Sequence, residues 1–525
     1  MRLFKFFICS ILLLLVVNAT AADELLDKVK VHSITINIHP IFSEQEATGW
    51  IYQTANELHI STKPYVIKRL LPFAESDLID QRAIDEAERI LRQQAFLRDA
   101  QIEWLEGADG LEITVNTWEN WTLLPTVDVS REGGETEYRY GIRDSNLLGR
   151  GIGATIEYFK EAERTGYTLS LDSQLTTENH IRGKLVLSDN SDGEQYAVRI
   201  NKPFYTLDDR WMADLDLNSQ RQIDTIYSND EIINEFEHDV EHIEVAYGFS
   251  KGLVNGDVVR YSAGLTKRDD TFLNEINTIA LPVDRKLLYP WAAVSYQEDR
   301  FIKTRNLYLI GRTEDIQLGW HHYLRWGINT DGDTYRNSWL WSAGSRLMQQ
   351  YNNEHFGHFS IASNGIQGDR ELPTSHYYNI GYEHFYHASD TRIWYLQAQY
   401  WGAHNPYIDK PISIGGEQGL RGYPLQYQHG EKAFLVNLEK RYYPGMNLFK
   451  LADVGFAAFV DIGKATGESL YPNQETGLLA SVGIGLRFFL SRSSGRNVVN
   501  VDFATPINSD YLSGLDVSVT IKTRF

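Results

Sequence analysis

Two periodicities divide this chain. Between residues 31 and about 118, apolar positions first alternate and then recur at helical spacing. Ile34, Ile36 and Ile38 alternate with polar residues and predict one half-buried strand. After an irregular stretch, Thr62 and Pro64 open a helix whose apolar face is Ile67, Leu70 and Leu71. Asp80 caps a second helix carrying Ile84, Ala87, Ile90 and Leu91 on one face. Ala100, Ile102 and Trp104, then Leu111, Ile113 and Val115, predict two strands joined by the turn Gly107-Ala108-Asp109-Gly110. The order strand, helix, helix, strand, strand is that of a small α+β domain over residues 28–118.

From residue 122 to 525 the helical period is gone and a period of two takes over. Trp211, Ala213, Leu215 and Leu217 alternate with Met212, Asp214, Asp216 and Asn218. Trp394, Leu396, Ala398 and Tyr400 alternate with Tyr395, Gln397 and Gln399, and Val499, Val501 and Phe503 with Asn500 and Asp502. A pattern of this kind sustained over roughly 400 residues, broken by Gly, Asn, Asp and Ser clusters, predicts a membrane all-β fold: an antiparallel transmembrane β-barrel of about 16 strands, at ~25 residues per strand with its connection. Residues 224–239, with six acidic side chains, read as an exposed loop. In the last segment Leu515, Val517, Val519, Ile521 and Phe525 share one face, so the chain reaches Phe525 inside a strand, which suits a ring whose last strand pairs with its first.

Composition sharpens this. The chain has 525 residues and 12 Trp, 30 Tyr and 23 Phe, yet a mean hydropathy of −0.36. Lipid-facing and lumen-facing residues cancel in such an average, while aromatics form interfacial girdles. Arg2 and Lys5, the apolar residues 6–17 and Ala19-Thr20-Ala21 predict a signal peptide over residues 1–21, cleaved before Ala22. The single cysteine, Cys9, lies inside it, so the mature chain has no thiol for disulfide, redox or metal chemistry. A formal charge of −20 argues against nucleic acid as a partner.

Chemistry concentrates near the C-terminus. Residues 415–423 read Gly-Gly-Glu-Gln-Gly-Leu-Arg-Gly-Tyr, too glycine-rich for a strand. Alternation puts Ala458, Val460 and Ile462 on the lipid-type face and Asp461 in the lumen. Ser481, Gly483, Gly485 and Arg487 line the next strand's lumen side, and Asn437, Glu439 and Arg441 that of the strand before. Two lumen glycines leave room for an inserted loop, and a bidentate Arg421–Asp461 pair would suit a partly dehydrated lumen. The bland alternative is an exterior Arg421 with Asp461 meeting lumen water.

Gly415-Gly416, Arg421-Gly422-Tyr423, Asp461 with Gly463, Gly483 and Gly485 with Arg487, and Phe525 together resemble the BamA/TamA-type outer-membrane assembly and two-partner secretion superfamily (bacterial surface antigen family). Asp144-Ser145-Asn146-Leu147-Leu148-Gly149 with Gly151 looks like that superfamily's first periplasmic hairpin. The N-terminal domain resembles its POTRA module in element order, including the stretch from Arg89-Ile90-Leu91-Arg92 to Phe96-Leu97-Arg98-Asp99-Ala100. The resemblance implies that the Arg421 loop enters the lumen and contacts the Asp461 strand. Only one such module fits before the barrel.

The leading expectation is therefore a non-enzymatic outer-membrane protein, its POTRA domain in the periplasm, that assists insertion or translocation of proteins. Its partners would be outer-membrane lipid and unfolded client proteins, with no cofactor. The edge of the Ile34, Ile36 and Ile38 strand would capture clients by strand addition, and the seam between residues 122–130 and the last strand would open laterally. A passive channel or a lipid-handling surface protein are alternatives. For the channel, Glu157, Asp214, Asp216 and Asp502 would favour cations. A hydrolase is disfavoured: His321 and His322 alternate onto opposite faces, His384 and His387 join no motif, no nucleophile-elbow pattern stands out, and no HExxH helix appears.

Overall fold

A computed structural model describes residues 28–132, 135–176, 179–229, 231–332, 335–368, 374–469, 471–495 and 497–523. The predicted signal peptide and Phe525 lie outside these. The N-terminal domain has the order β1 (Val29–His39), α1 (Trp50–Leu58), α2 (Pro64–Leu70), β2 (Leu78–Ile79), α3 (Gln81–Arg92), β3 (Leu97–Gly107) and β4 (Gly110–Glu119). Its sheet runs β2-β1-β4-β3, with β1 parallel to β4. Pro64 starts α2, and the Asp80 carboxylate accepts the Ala83 N–H at 2.9 Å to cap α3. Ile67, Ile84, Leu91, Leu97, Ile113 and Val115 close the core between helices and sheet. A fully buried side chain of this size contributes about 1.5–3 kcal/mol.

Helix α1 is a correction to the sequence reading, which left this stretch irregular. Helical periodicity is legible when one face enters a core, and α1 buries no residue.

Among the described residues, twenty strands follow in one closed antiparallel ring, against the expected number of about 16. The spacing assumed was too wide, because the first six strands fit between Leu123 and Lys202. Further round, the wall is tall: Trp211–Ser228, Glu231–Val254 and Asp257–Asn274 run 18, 24 and 18 residues. The six-acid stretch at residues 224–239 is the end of this hairpin and not a loop. Along the 24-residue strand, Phe249, Tyr247, Val245 and Ile243 face outward and exposed, while Ala246, Gly248 and Ser250 are buried inside. Beyond Ile243 the outward residues become Glu241, Asp239, Glu237 and Glu235. An apolar band about ten residues tall, ended by charge, is what a hydrocarbon layer requires.

Both mouths are covered. At the far rim the tall hairpin leans across the ring to the opposite wall. Ser228 Oγ donates to the Pro472 carbonyl at 3.0 Å, and Ile226, Phe236 and Phe272 pack on Tyr471. Under this roof His238 lies between Asp224 (2.6 Å) and Asp270 (3.1 Å), and Arg285 pairs with Asp409 at 2.7 Å.

At the near rim the N-terminal domain is held by turns from several sides. Arg92 makes two bonds to Asp315 (2.7 and 2.8 Å), Lys303 pairs with Glu88 (2.7 Å), and Arg82 with Asp208. Lys63 N–H donates to the Gly149 carbonyl at 2.9 Å, and Asn146 Nδ2 to Thr62 Oγ1 at 2.8 Å. Asp315 and Lys303 belong to an extra hairpin, Phe301–Arg305 with Thr313–Gln317, that is outside the ring. Its tip pushes Leu309 and Ile310 into the lumen against Ile393, Tyr443, Phe489 and Val498.

The roof should be pH-sensitive. Burial alone would push the His238 imidazole down, but Asp224 and Asp270 outweigh it and raise its pKa to about 9. The stabilisation is then complete below ~6.5, the ordinary histidine value, and is lost as pH rises through about 9. Hydrogen exchange of Ile226 and Asn234, corrected for intrinsic rates, should accelerate across that window, and His238→Gln should remove the step.

Candidate functional site

The lumen site is assembled by four neighbouring strands and one loop. Strands Lys432–Leu448, Ala452–Thr466 and Leu479–Phe489 pair in register, with Asn437 opposite Asp461 and Asp461 opposite Ser481. Alternation turns Asn437, Glu439, Phe459, Asp461, Ser481 and Arg487 inward, all buried. The connection over residues 405–431 descends from the far rim into the lumen. It is braced by a short hairpin, Ile412–Ile414 with Gln428–Gly430, and by an apolar cluster of Ile414, Leu420, Tyr423, Tyr427, Leu435 and Leu479.

Arg421 is at the loop's foot. Its Nε and Nη2 donate to Asp461 at 2.7 and 2.6 Å, and Nη1 to Glu439 at 2.8 Å and Asp502 at 3.2 Å. Glu439 also accepts from Arg441 (2.8 Å), and Asp502 from Arg487 (2.5 Å). Asn437 bridges the Gly419 carbonyl (3.0 Å) and Asp461 (2.8 Å). Three guanidiniums thus meet three carboxylates, a neutral cluster in which nearly every fork and lone pair is used. Charge-assisted, bidentate bonds of this kind are the strong ones when water is scarce.

Glycines set the clearances. Gly422 adopts φ +87°, a left-handed conformation that costs a side-chain-bearing residue strain, and it turns the chain between Arg421 and Tyr423. A side chain at Gly415 would strike the Pro424 carbonyl, and one at Gly463 would strike Ile414. The expectation that Gly483 and Gly485 make room for the loop itself needs correction. Gly483 clears the Phe459 ring, which lies 3.3 Å beneath the Arg421 guanidinium, and Gly485 clears the Arg487–Asp502 pair. Tyr423 OH donates to the Ala480 carbonyl at 3.1 Å and is fully buried. Gly416 N–H donates to the Pro424 carbonyl at 3.0 Å, closing the loop's neck.

The structure therefore brings Arg421, Asp461, Glu439 and Arg487 together. Phe459 and Asp502 are the additions that sequence reasoning missed as partners of Arg421. Their signal was inward alternation, on the strand of Asp461 and on Asn497–Pro506. The other acids assigned to a cation path lie beside arginines: Asp214 and Asp216 share Arg199, at 2.6 and 3.8 Å, and Glu157 is 3.4 Å from Arg139.

The two remaining sets of expected residues lie elsewhere. Ile34, Ile36 and Ile38 pack their side chains against the domain core. Their strand's outer edge is met at Val31 by the backbone of Ser76 and Asp77, and among the described residues has no strand partner from residue 35 to 39. The opposite edge, β3, is occupied: Glu88 accepts the Ile102 N–H, Arg92 donates to the Ala100 carbonyl, and Arg312 to the Leu97 carbonyl, each at 2.8 Å.

Val517, Val519 and Ile521 belong to the closing strand, Asp516–Thr523, and Leu515 precedes it. Among the described residues this strand meets the first barrel strand, Leu123–Glu132, at a single matched position, Val519 with Arg131. Every other adjacent pair in the ring matches at seven positions or more.

His321 and His322 do face opposite ways, His322 bonding Ser345 Oγ outside. Among the described residues no three His, Cys, Asp or Glu are grouped to hold a metal ion.

Fold and site together define a closed β-barrel with an arginine-anchored loop in its lumen and a small α+β domain across one mouth. No family model and no curated protein matches the chain. Among solved structures it is similar to CdiB from Acinetobacter baumannii (12% identity, TM-score 0.46, covering 94% of this chain and 74% of that one). CdiB from Escherichia coli (14%, TM-score 0.43, 97% and 92%) also matches. So does BamA from Haemophilus ducreyi lacking POTRA domains 1–3 (12%, TM-score 0.38, 93% and 83%).

Replacing Arg421 by Ala leaves Asp461, Glu439 and Asp502 buried and short of a cation. Stability should fall by about 3–5 kcal/mol, the usual cost of breaking a buried pair from one side. Arg421→Lys should recover part of it, because charge returns without the fork. Urea unfolding midpoints of the folded barrel in detergent would show both.

Proposed function

We propose that this chain is an outer-membrane barrel, its N-terminal domain a single POTRA module in the periplasm, that helps proteins insert into or cross the outer membrane. It does so by lateral opening of the barrel. The observation that carries this reading is the seam. A ring that, among the described residues, is paired at seven or more positions elsewhere and at one where its ends meet has a designated place to part. Unpaired backbone is costly in hydrocarbon, so an opened seam is tolerable only while another strand takes up its free N–H and C=O groups. An unfolded barrel polypeptide supplies such a strand.

The remaining geometry fits. The lumen is filled from above by residues 405–431 and from below by the 301–317 hairpin, and the charges around Arg421 are paired, which suits a templating edge better than a steady cation pore. The Arg421 cluster fixes the loop against Glu439, Asp461 and Asp502 on three strands of the closing side, so that side stays rigid while the seam parts. The open edge of β1 offers a second pairing surface in the periplasm, where an extended client could add as a strand. The start of the first barrel strand is tethered independently: Trp121 N–H donates to the Arg492 carbonyl at 2.7 Å, and Ser494 N–H to the Trp121 carbonyl at 3.0 Å. That stitch reaches past the last strand, so the foot of the seam holds while its length is free.

Locking the seam should stop the activity. In the mature chain, without other cysteines, a disulfide between Arg131→Cys and Val519→Cys should abolish delivery of client barrels, with recovery on reduction. A control disulfide between Val501→Cys and Val519→Cys, across a fully paired neighbour, should leave delivery intact. Undiminished delivery through the locked seam would refute lateral opening. Crosslinking from positions 35 and 37 should capture nascent barrel chains.

A further inference from the structure

Helix α1 is the one element of the N-terminal domain that the core does not explain. At 100° per residue, Trp50, Ile51, Thr54 and Leu58 fall within about a 100° arc. Trp50 is 75% exposed, Ile51 59% and Leu58 70%. The opposite side is fixed: Asn56 exchanges bonds with the Phe42 backbone (2.8 and 3.1 Å), and Tyr52 packs on the Phe42 ring. Helix packing therefore holds the apolar arc outward, and leaving Trp, Ile and Leu in water would be unfavourable.

The surroundings say what covers it. Tyr52 OH donates to the Phe449 carbonyl at 3.1 Å, and Lys450 Nζ donates to the Glu46 carbonyl at 2.8 Å while lying over the Tyr52 ring. Phe449 and Lys450 form the near-rim turn between Lys432–Leu448 and Ala452–Thr466. The outward residues Leu438, Tyr442, Met446 and Phe456 of these strands belong to the apolar band. Phe449 is itself 78% exposed. The band thus runs down the barrel wall to this turn, which α1 meets through Tyr52.

The same stretch of chain is pinned at two rim turns that flank the seam. Arg492 Nη1 donates to the Ile41 carbonyl at 2.7 Å on one side, and Arg69 Nη2 to the Arg150 carbonyl at 2.9 Å on the other.

We propose that α1 is an interfacial helix. Its Trp50, Ile51 and Leu58 face lies in the headgroup–acyl boundary of the near leaflet and fastens the N-terminal domain to lipid at the foot of the seam. Trp and a neighbouring lysine are the side chains that settle at this depth. The proposal rests on the membrane reading of the barrel and not on lateral opening.

The test uses the full mature chain, folded into vesicles of phosphatidylethanolamine and phosphatidylglycerol with a nitroxide-bearing lipid. An environment-sensitive fluorophore is placed at single cysteines. Labels at Trp50→Cys and Leu58→Cys should be quenched several-fold more by the lipid nitroxide than a label at Gln53→Cys, which iodide should quench instead. All three positions are on the surface, so folding is not at stake. A label at Ile484→Cys, on the barrel's outward face, reports separately whether the barrel is embedded. Lipid quenching at Ile484→Cys with only iodide quenching at Trp50→Cys and Leu58→Cys would overturn the proposal. So would protection of those two sites that arises only on adding an unfolded barrel polypeptide, which would assign the face to a client. Absence of lipid quenching at Ile484→Cys would overturn it through the membrane reading itself.

Discussion

A strand has hydrogen-bonding groups on two edges, and inside hydrocarbon neither edge can be left to solvent. Among the described residues, twenty antiparallel strands satisfy that demand everywhere in this ring but at the meeting of its ends, where one matched position stands for a whole ladder. Much of the remaining architecture is intelligible as support for that single weak junction. The Arg421 cluster ties a loop to three strands near it, the Trp121–Ser494 stitch holds its base, and the N-terminal domain grips rim turns on both of its sides. Strength is placed around the junction and withheld from it.

Charge is used in the same spirit. A chain with twenty excess negative charges could hold an acidic lumen, yet the inward acids Asp214, Asp461 and Asp502 each meet a guanidinium. Excess acid is carried outward above the apolar band, as at Glu235, Glu237, Asp239 and Glu241, where water screens it. Inside, Arg421, Arg441 and Arg487 against Glu439, Asp461 and Asp502 leave no net charge to pull ions or solvent through. The cost of burying six charges is offset only because each is bonded.

What could be read from the amino acids followed from whether a residue's partner leaves a periodic trace. Asp461 and Arg487 were legible as inward because their strands alternate without interruption, and the loop of Arg421 was legible because four glycines in nine residues cannot be a strand. Asp80, Pro64 and the Gly107–Gly110 turn marked the N-terminal elements for the same local reasons. Helix α1 escaped because its apolar residues face away from the core. Residues 224–239 were misread because, above the hydrocarbon, a strand's outer face is as polar as its inner one. The 301–317 hairpin escaped too, since alternation is identical whether a hairpin joins the ring or folds beneath it. Strand number suffered from the opposite problem, as short strands with tight turns fit more staves into the same length. The seam's weakness has no sequence signature at all, being a property of two segments nearly four hundred residues apart.

The roof has a mechanical implication. It is rooted in the wall of the Glu231–Val254 strand and fastened to the turn near Tyr471 and Pro472, nine strands away round a ring of twenty. That makes it a strap laid along a diameter. A hoop braced this way cannot widen evenly, because the strap fixes the distance between two opposite points. Any added circumference must bulge from one of the two arcs, and only the arc containing the junction can grow. Enlargement is thereby steered to one flank, and the other keeps its curvature.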